Sequence, residues 1–357
     1  MPIRRIRWLC CLLIASVIVG CGNSEIVGGH FGLVGAMIAE RVADIVVDNV
    51  FLRATDVVPG CELFLKFEGL NPAGSVKLKT AVSLVEHAER SGALRPGGRI
   101  IESSSGNLGI ALSLVCAERG YRFTCVCDPN VPELSVAFMR ATGAEVFRVD
   151  RRDGNGGFLQ SRIEYIRQRI TEDAGLVWLN QYANPANPAA HSSRTAKSIH
   201  AELGRVDYLF VGAGTTGTLV GCADYFRVHS PRTRIVAVDT VGSVTFGHPP
   251  GVRYVPGLGT SRRPELCQGL HVDRVVQVEE ADAVRACRTW AQERGLLLGG
   301  SSGSVLHAVE SLGAELSAGS RIVALSPDFG DRYLSTVYDD DWVAGHFSSV
   351  PPGVAVG

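Results

Sequence analysis

From about residue 42 onward, short apolar runs alternate with longer stretches whose apolar positions recur at helical spacing. Residues 62–68 read as a strand, and 79–91 as a helix with Leu84, Val85 and Ala88 on one side. A short apolar strand at 99–102 precedes a helix at 108–119 closed by Gly120, then a buried strand at 121–127. A helix at 132–141 ends near Gly143 and is followed by a strand at 145–149. The second half repeats the alternation, with helices at 193–203, 217–228, 281–293 and 304–316 and strands at 208–211, 234–239, 274–278 and 321–325. Strands alternating with helices of ten or more residues predict an α/β fold of parallel sheets built from βαβ units. Such sheets place ligands at the carboxyl ends of their strands. The polar, glycine-rich stretch 150–157 is the clearest break, and no internal repeat is present.

Charge narrows the partners. Lys and Arg number 35 against 36 Asp and Glu, a net charge of -1. A chain without basic surplus cannot neutralise a phosphate backbone, so nucleic acid is excluded as a main partner. The ten cysteines form no CxxC pair and lie at no metal-ligand spacing with His, Asp or Glu, so neither a metal site nor a disulfide framework is expected. The first thirty residues stand apart: arginines at 4, 5 and 7, an apolar stretch of about a dozen residues, then Gly20-Cys21-Gly22. This is the pattern of a lipoprotein signal, too short to span a bilayer. It leaves two expectations open, a cytoplasmic enzyme with an upstream extension or a membrane-anchored protein lipidated at Cys21.

Glycine is enriched, with 41 residues of 357 against a usual ~7%. Many gather at four expected strand-to-helix junctions: Asn71-Pro72-Ala73-Gly74-Ser75-Val76-Lys77, Ser103-Ser104-Ser105-Gly106-Asn107-Leu108-Gly109, Gly212-Ala213-Gly214-Thr215-Thr216-Gly217-Thr218, and Gly299-Gly300-Ser301-Ser302-Gly303-Ser304. A small-residue turn at a helix start offers free N–H groups at the positive end of the helix dipole, a seat for an anion. Four of them point to a ligand with several anionic and polar groups. Two turns also fit other motifs. The third is formally G-x-G-x-x-G with Asp239 ending the next strand, the fingerprint of a dinucleotide-binding oxidoreductase. The fourth matches the G-x-S-x-G nucleophile elbow around Ser301, with Asp328 and His346 following in hydrolase order. Only 56 residues follow Ser301, little room for the rest of a hydrolase.

These turns, together with Gln181-Tyr182-Ala183-Asn184-Pro185-Ala186-Asn187-Pro188 and Phe329-Gly330-Asp331-Arg332-Tyr333-Leu334-Ser335-Thr336, resemble in order the pyridoxal-phosphate enzymes of the cysteine synthase type over about residues 45–336. Within that family the chain resembles most the branch of N-(2-amino-2-carboxyethyl)-L-glutamate synthases, which make 2,3-diaminopropionate precursors for siderophores and antibiotics. The resemblance implies a two-domain fold type II architecture like the tryptophan synthase β chain. Residues 31–80 and 185–338 would form the large domain that binds pyridoxal 5'-phosphate, 81–184 a smaller mobile domain and 339–357 a C-terminal tail. It also implies a homodimer acting on small amino acids, at a membrane only if the N-terminal signal is used.

Residue by residue, the resemblance assigns the Schiff-base lysine and α-proton base to Lys77, and a hydrogen bond to the cofactor's ring hydroxyl to Asn107. Gly214, Thr215, Thr216, Gly217 and Thr218 would cradle the cofactor phosphate, and the Ser301 hydroxyl would meet the pyridine nitrogen. A hydroxyl there does not hold that nitrogen protonated and favours β-elimination. Ser104, Ser105, Gly106 and Gln181 would hold the substrate carboxylate. The implied reaction is a β-replacement on O-phospho-L-serine or O-acetyl-L-serine through an aminoacrylate, with L-glutamate as the nucleophile or, as in cysteine synthases, sulfide. Departures from cysteine synthases are Leu78-Lys79 where Asp-Arg is usual, Leu108 where Thr is usual, and Asp48-Asn49-Val50-Phe51 in place of an Asn-Thr-Pro segment. A glutamate nucleophile calls for extra cations, for which Lys79, Arg253, Arg262 and Arg263 are candidates.

Overall fold

A computed structural model describes residues 38–104 and 106–350. The lipoprotein-like segment with Cys21, and Ser105 of the second turn, lie outside the described residues.

Two sheets organise the chain. In the larger, strands β1 (Phe51–Ala54), β2 (Glu62–Phe67), β10 (Arg321–Ser326), β7 (Tyr208–Gly212), β8 (Arg234–Thr240) and β9 (Arg274–Val278) lie side by side in that order. Only the β1/β2 pair is antiparallel. The smaller sheet is wholly parallel, with β5 (Glu145–Arg148), β4 (Arg122–Cys127), β3 (Arg99–Ser103) and β6 (Leu176–Trp178) in that order. The helices are α1 (Lys77–Arg90), α2 (Asn107–Arg119), α3 (Glu133–Ala141), α4 (Leu159–Glu172), α5 (Ala186–Ala190), α6 (Lys197–Leu203), α7 (Gly217–His229), α8 (Glu280–Arg294), α9 (Gly300–Ser311) and α10 (Asp340–His346).

Alternation along the central strands decides the layering. Phe210, Val236, Val238, Ile322 and Ala324 point into the core shared with α8 and α9. Their neighbours Leu209, Val211, Ile235, Ala237, Val323 and Leu325 point the other way, into a core with Ala196, Ile199, Leu219 and Phe226 of the α6 and α7 side. Both faces are thus covered, which is why these strands read as continuous apolar runs. The smaller sheet is sandwiched in the same way, with Ile100, Phe123, Cys125 and Cys127 under α1 and α2 and with Ile101 and Val126 against Ile166 of α4. The seven cysteines among the described residues are buried and unpaired. No helix among the described residues is long and apolar enough to cross a membrane.

The structure departs from the predicted elements at several places. α4, α10, β1 and β6 were not expected. α9 begins at Gly300, inside the glycine-serine turn, and ends at Ser311, five residues before the predicted end. That turn follows the loop after α8, where no strand lies between the two helices, so it is no strand-to-helix junction. The predicted helix 193–203 is the end of a longer helical run from Ala186, interrupted by a π-helical stretch His191–Ala196.

Candidate active site

Carboxyl ends of strands from both sheets converge on one cleft. Lys77, Ser104, Asn107, Gln181, Gly214, Thr215, Thr216, Gly217, Thr218 and Ser301 all line it, so ten of the twelve residues singled out from sequence come together. Gly106 is the N-cap of α2 but not part of the lining, and its N–H is turned onto Ser104 Oγ at 3.1 Å.

Lys77 is placed by its turn. Asn71 binds the turn across itself, its Nδ2 donating to the carbonyls of Glu68 and Ser75 at 2.9 and 3.0 Å while Oδ1 accepts from Ala73 N–H. Val76 N–H donates to Pro327 carbonyl and Ser75 bridges Asp328, so the first turn of α1 is pinned to the segment after β10. The Lys77 amine projects into the cleft with no hydrogen bond or ion pair to any described residue. Burial pushes its pKa below the ordinary lysine range, and the nearby Asp328 carboxylate opposes that shift only in part. A lysine whose neutral amine is favoured is a ready nucleophile and base. The chain's other three lysines differ: Lys66 and Lys79 are buried in ion pairs, and Lys197 is exposed.

The 212–218 turn forms the opposite seat. The N–H groups of Gly214, Thr215 and Thr216 donate to no described residue, and α7 starts immediately after them. Thr216, the N-cap, has φ 68, a left-handed conformation uncommon for a β-branched residue. Close packing fixes the glycines here: a methyl group on Gly214 would lie 2.7 Å from Gly257 carbonyl, and one on Gly217 would lie 2.1 Å from Asn187 Oδ1. Asn187 Nδ2 donates to Thr215 Oγ1 at 3.2 Å and to Gln181 carbonyl at 2.8 Å, joining the turn to the 181 segment. His191, in the π-helical stretch, sits with Nε2 3.3 Å from Thr218 Oγ1 and 3.0 Å from Thr80 Oγ1. Burial, aided by the charges of Lys77 and Lys79, holds it neutral.

At the far wall, Ser301 faces the cleft, whereas Ser302 bonds Ser326 within the core, and neither caps α9, whose N-cap is Gly299. Asn107 Nδ2 donates to Asp328 Oδ2 at 2.7 Å, and Arg332 Nη1 donates to Asn107 Oδ1 at 2.5 Å. Tyr333 donates to the same Asp328 oxygen at 2.6 Å. Ser104 Oγ accepts the N–H groups of Gly106 and Gly109, leaving its own proton for a ligand. Gln181 is held by Ser103 carbonyl through Nε2 at 2.6 Å and by Glu102 through its N–H at 3.2 Å.

Sequence reasoning missed several of these partners. Glu102, fully buried, accepts N–H groups from Ser103, Gln181 and the Trp178 indole, and burial still pushes its pKa up to about 7. Arg162 of α4 is buried at the cleft beside Asp128, 3.3 Å away, with Nε unpartnered. The four proposed cations divide. Lys79 is buried between Glu68, at 2.6 Å, and Asp48, so it is not a cleft cation. Arg262 pairs with Glu265 and Arg263 is exposed; of the four, only Arg253 lines the cleft. The rival motifs fail on geometry. Asp239 is fully buried, bonded to Thr240 N–H and outside the cleft lining, and His346 is exposed against Trp342 and Tyr254, likewise outside the lining that holds Ser301.

Comparison with known proteins identifies the family. The family model described as "Pyridoxal-phosphate dependent enzyme" matches residues 50–328. A protein of Ralstonia nicotianae named N-(2-amino-2-carboxyethyl)-L-glutamate synthase is 43% identical over 311 residues, covering 86% of this chain and 92% of the relative. One of the same name from Cupriavidus metallidurans is 44% identical over 287 residues, 79% of this chain and 84% of the relative. Among solved structures, a mutant O-ureido-L-serine synthase with O-ureido-L-serine bound superposes with TM-score 0.79 at 30% identity, covering 87% of this chain and 98% of the other. The O-acetylserine-dependent cystathionine β-synthase of Helicobacter pylori gives TM-score 0.79 at 28% identity, over 84% and 99%.

Proposed function

Because the chain belongs to the pyridoxal-phosphate dependent enzymes, we propose that it exchanges the β-substituent of O-phospho-L-serine or O-acetyl-L-serine for the amino group of L-glutamate, giving N-(2-amino-2-carboxyethyl)-L-glutamate. The observation that carries this is the unpaired Lys77 amine facing an N–H-lined turn and Ser301 across one cleft. That donor set fits the cofactor: an amine for its aldehyde, the free N–H groups of residues 214–216 and the start of α7 for its phosphate, and a hydroxyl for its ring nitrogen. When bound, the cofactor acts as an electron sink that acidifies the substrate's α-proton.

The chain's residues supply the rest. Lys77 takes the α-proton at its Nζ, the Cβ–O bond of the donor breaks with release of phosphate or acetate, and the N–Cβ bond to glutamate forms with loss of an amine proton. Lys77 then returns a proton to Cα. Ser104, Ser105 and Gln181 orient the donor carboxylate, Gln181 being fixed by Glu102 and Ser103. Asn107, locked by Asp328 and Arg332, would offer the bound cofactor a rigid hydrogen-bond donor. Arg253, the lining guanidinium that forms no ion pair with a described residue, gives the cleft a positive group suited to a dicarboxylic acceptor. Residues 81–184 act as the mobile domain, which excludes water when it closes. The enzyme works as a cytoplasmic homodimer.

The test offers purified holoenzyme each donor with L-glutamate or sulfide and identifies products by mass spectrometry. The glutamate adduct from one donor is expected to dominate. A large preference for sulfide would make the protein a cysteine synthase instead.

A further inference from the structure

Among the described residues, charge pairing around the cleft leaves Arg253 as a cation with neither a carboxylate partner nor a role in the chemistry. Five charged side chains line it: Lys77, Arg162, Arg253, Glu68 and Asp128. Glu68 is bound by Lys79 at 2.6 Å and Lys66 at 3.5 Å, and Asp128 faces Arg162 at 3.3 Å. Lys77 is committed to the chemistry. Arg253 forms no ion pair with any described residue, and its Nε is buried without a hydrogen-bond partner. Three carboxyl groups lie near enough to act on it electrostatically, but two are engaged elsewhere. Glu280 accepts the N–H groups of Tyr254 and Val255, and Asp153 accepts from Ser261 and from the N–H groups of Asn155, Gly157 and Gln160. Asp239 accepts Thr240 N–H and forms no ion pair with the guanidinium.

The loop that carries Arg253 is nonetheless held in place. Asn130 Nδ2 donates to Arg253 carbonyl at 3.2 Å, tying its loop to the segment after β4. Gly259, at φ +71, makes room for the guanidinium: a methyl group there would lie 2.2 Å from Arg253 Nη1. A buried donor left unpaired is costly unless a ligand completes it. The donor's α-carboxylate is provided for by the neutral Ser104 and Gln181 groups in the reading above, and O-acetyl-L-serine brings no other anion, so the surplus charge is assigned to the second amino acid. With O-phospho-L-serine, the donor KM of the test below separates its phosphate from the acceptor.

Resting on the β-replacement reading above, we propose that Arg253 receives the side-chain carboxylate of the acceptor and so sets the preference for a dicarboxylic nucleophile. The test compares wild type, Arg253→Gln and Arg253→Lys holoenzymes. It measures KM and kcat for L-glutamate and L-glutamine, KM for the donor, leaving-group release in a single turnover without acceptor, and the visible absorbance of the bound cofactor.

Loss of a charge-assisted pair predicts that Arg253→Gln raises KM for L-glutamate about 10- to 100-fold. Its preference for glutamate over glutamine should fall by a similar factor. Donor KM, single-turnover release and absorbance should stay within about 2-fold of wild type, a range too small for a lost charge-assisted bond. Arg253→Lys, which keeps the charge without the planar fork, should fall between. Should Arg253→Gln fail to fold, this intermediate KM in Arg253→Lys decides. Unchanged glutamate parameters, or a donor KM that moves as far as the glutamate KM, would overturn the assignment alone. A wild-type enzyme that forms no adduct with L-glutamate would overturn the proposed reaction and the assignment together.

Discussion

Gly217→Ala tests whether the phosphate seat is built on close packing. A methyl group at this position would lie 2.1, 2.2 and 2.3 Å from Oδ1, Cγ and Nδ2 of Asn187, so the whole amide must move by more than an ångström. Asn187 is 1% exposed and has no open space to enter. Moving it breaks its bonds with Thr80 Oγ1, Gln181 carbonyl and Thr215 Oγ1, worth roughly 1 kcal/mol each. Overpacking adds ~1–3 kcal/mol, and the better helix propensity of alanine returns at most about 1 kcal/mol. The net loss is therefore roughly 3–5 kcal/mol, part of it felt as distortion of the 214–216 N–H groups. Denaturant unfolding of the cofactor-free protein measures the stability term, and titration with pyridoxal 5'-phosphate measures the affinity term. In an Asn187→Ala background the same glycine substitution should cost no more than about 1 kcal/mol, because the amide it strikes is gone. Stability within ~0.5 kcal/mol of wild type, with unchanged cofactor affinity in Gly217→Ala, would refute the packing argument.

Other outcomes follow from the same geometry. Asp328→Asn removes the carboxylate that favours the Lys77 ammonium, so its amine should deprotonate at lower pH still. The pH profile for cofactor uptake by the cofactor-free protein should then shift toward acid, whereas a shift toward alkali would contradict the electrostatics. Glu102, raised to about 7, holds its proton in the folded state longer than in the unfolded chain. Its stabilising contribution is full below the ordinary carboxylate range and is lost as pH rises through about 7. The stability of wild type relative to Glu102→Gln should therefore fall by up to about 3 kcal/mol between pH 4 and 8, measured by unfolding at each pH. Lys79→Ala leaves Glu68 buried with a weaker set of partners and should cost ~3–5 kcal/mol of stability. The folded fraction should keep a near-normal KM for L-glutamate, since Lys79 does not face the cleft.

Much of the fold was legible because the central strands are buried on both faces. Runs such as Tyr208–Gly212 and Arg321–Ser326 have no polar interruption to mislead, and Gly120 closes α2 in the left-handed conformation expected of it. α4 was missed because its inward positions, Leu159, Ile163 and Ile166, are spread among charged residues directly after a glycine-rich loop. β1 is a half-exposed edge strand, and β6 has only three residues. Sheet order was beyond reach, since β2 and β10 pair from opposite ends of the chain.

The site divides along the same line. The 212–218 turn could be read as an anion seat from adjacent residues, and Lys77 was singled out by the resemblance that its local motif carries. The Asn107–Asp328–Arg332 cluster, the Glu102 support of Gln181 and the unpaired Arg253 exist only once distant segments meet. Lys79 looked like a substrate cation because sequence shows its charge but not the buried carboxylates of Glu68 and Asp48 around it.

Borohydride reduction of the holoenzyme, which fixes the cofactor covalently to its lysine, followed by peptide mapping, tests the central claim most directly. With four lysines in the chain, the outcome is unambiguous. The cofactor mass should appear on the peptide containing Lys77, at that residue. Labelling at Lys66, Lys79 or Lys197 with Lys77 unmodified would contradict the account.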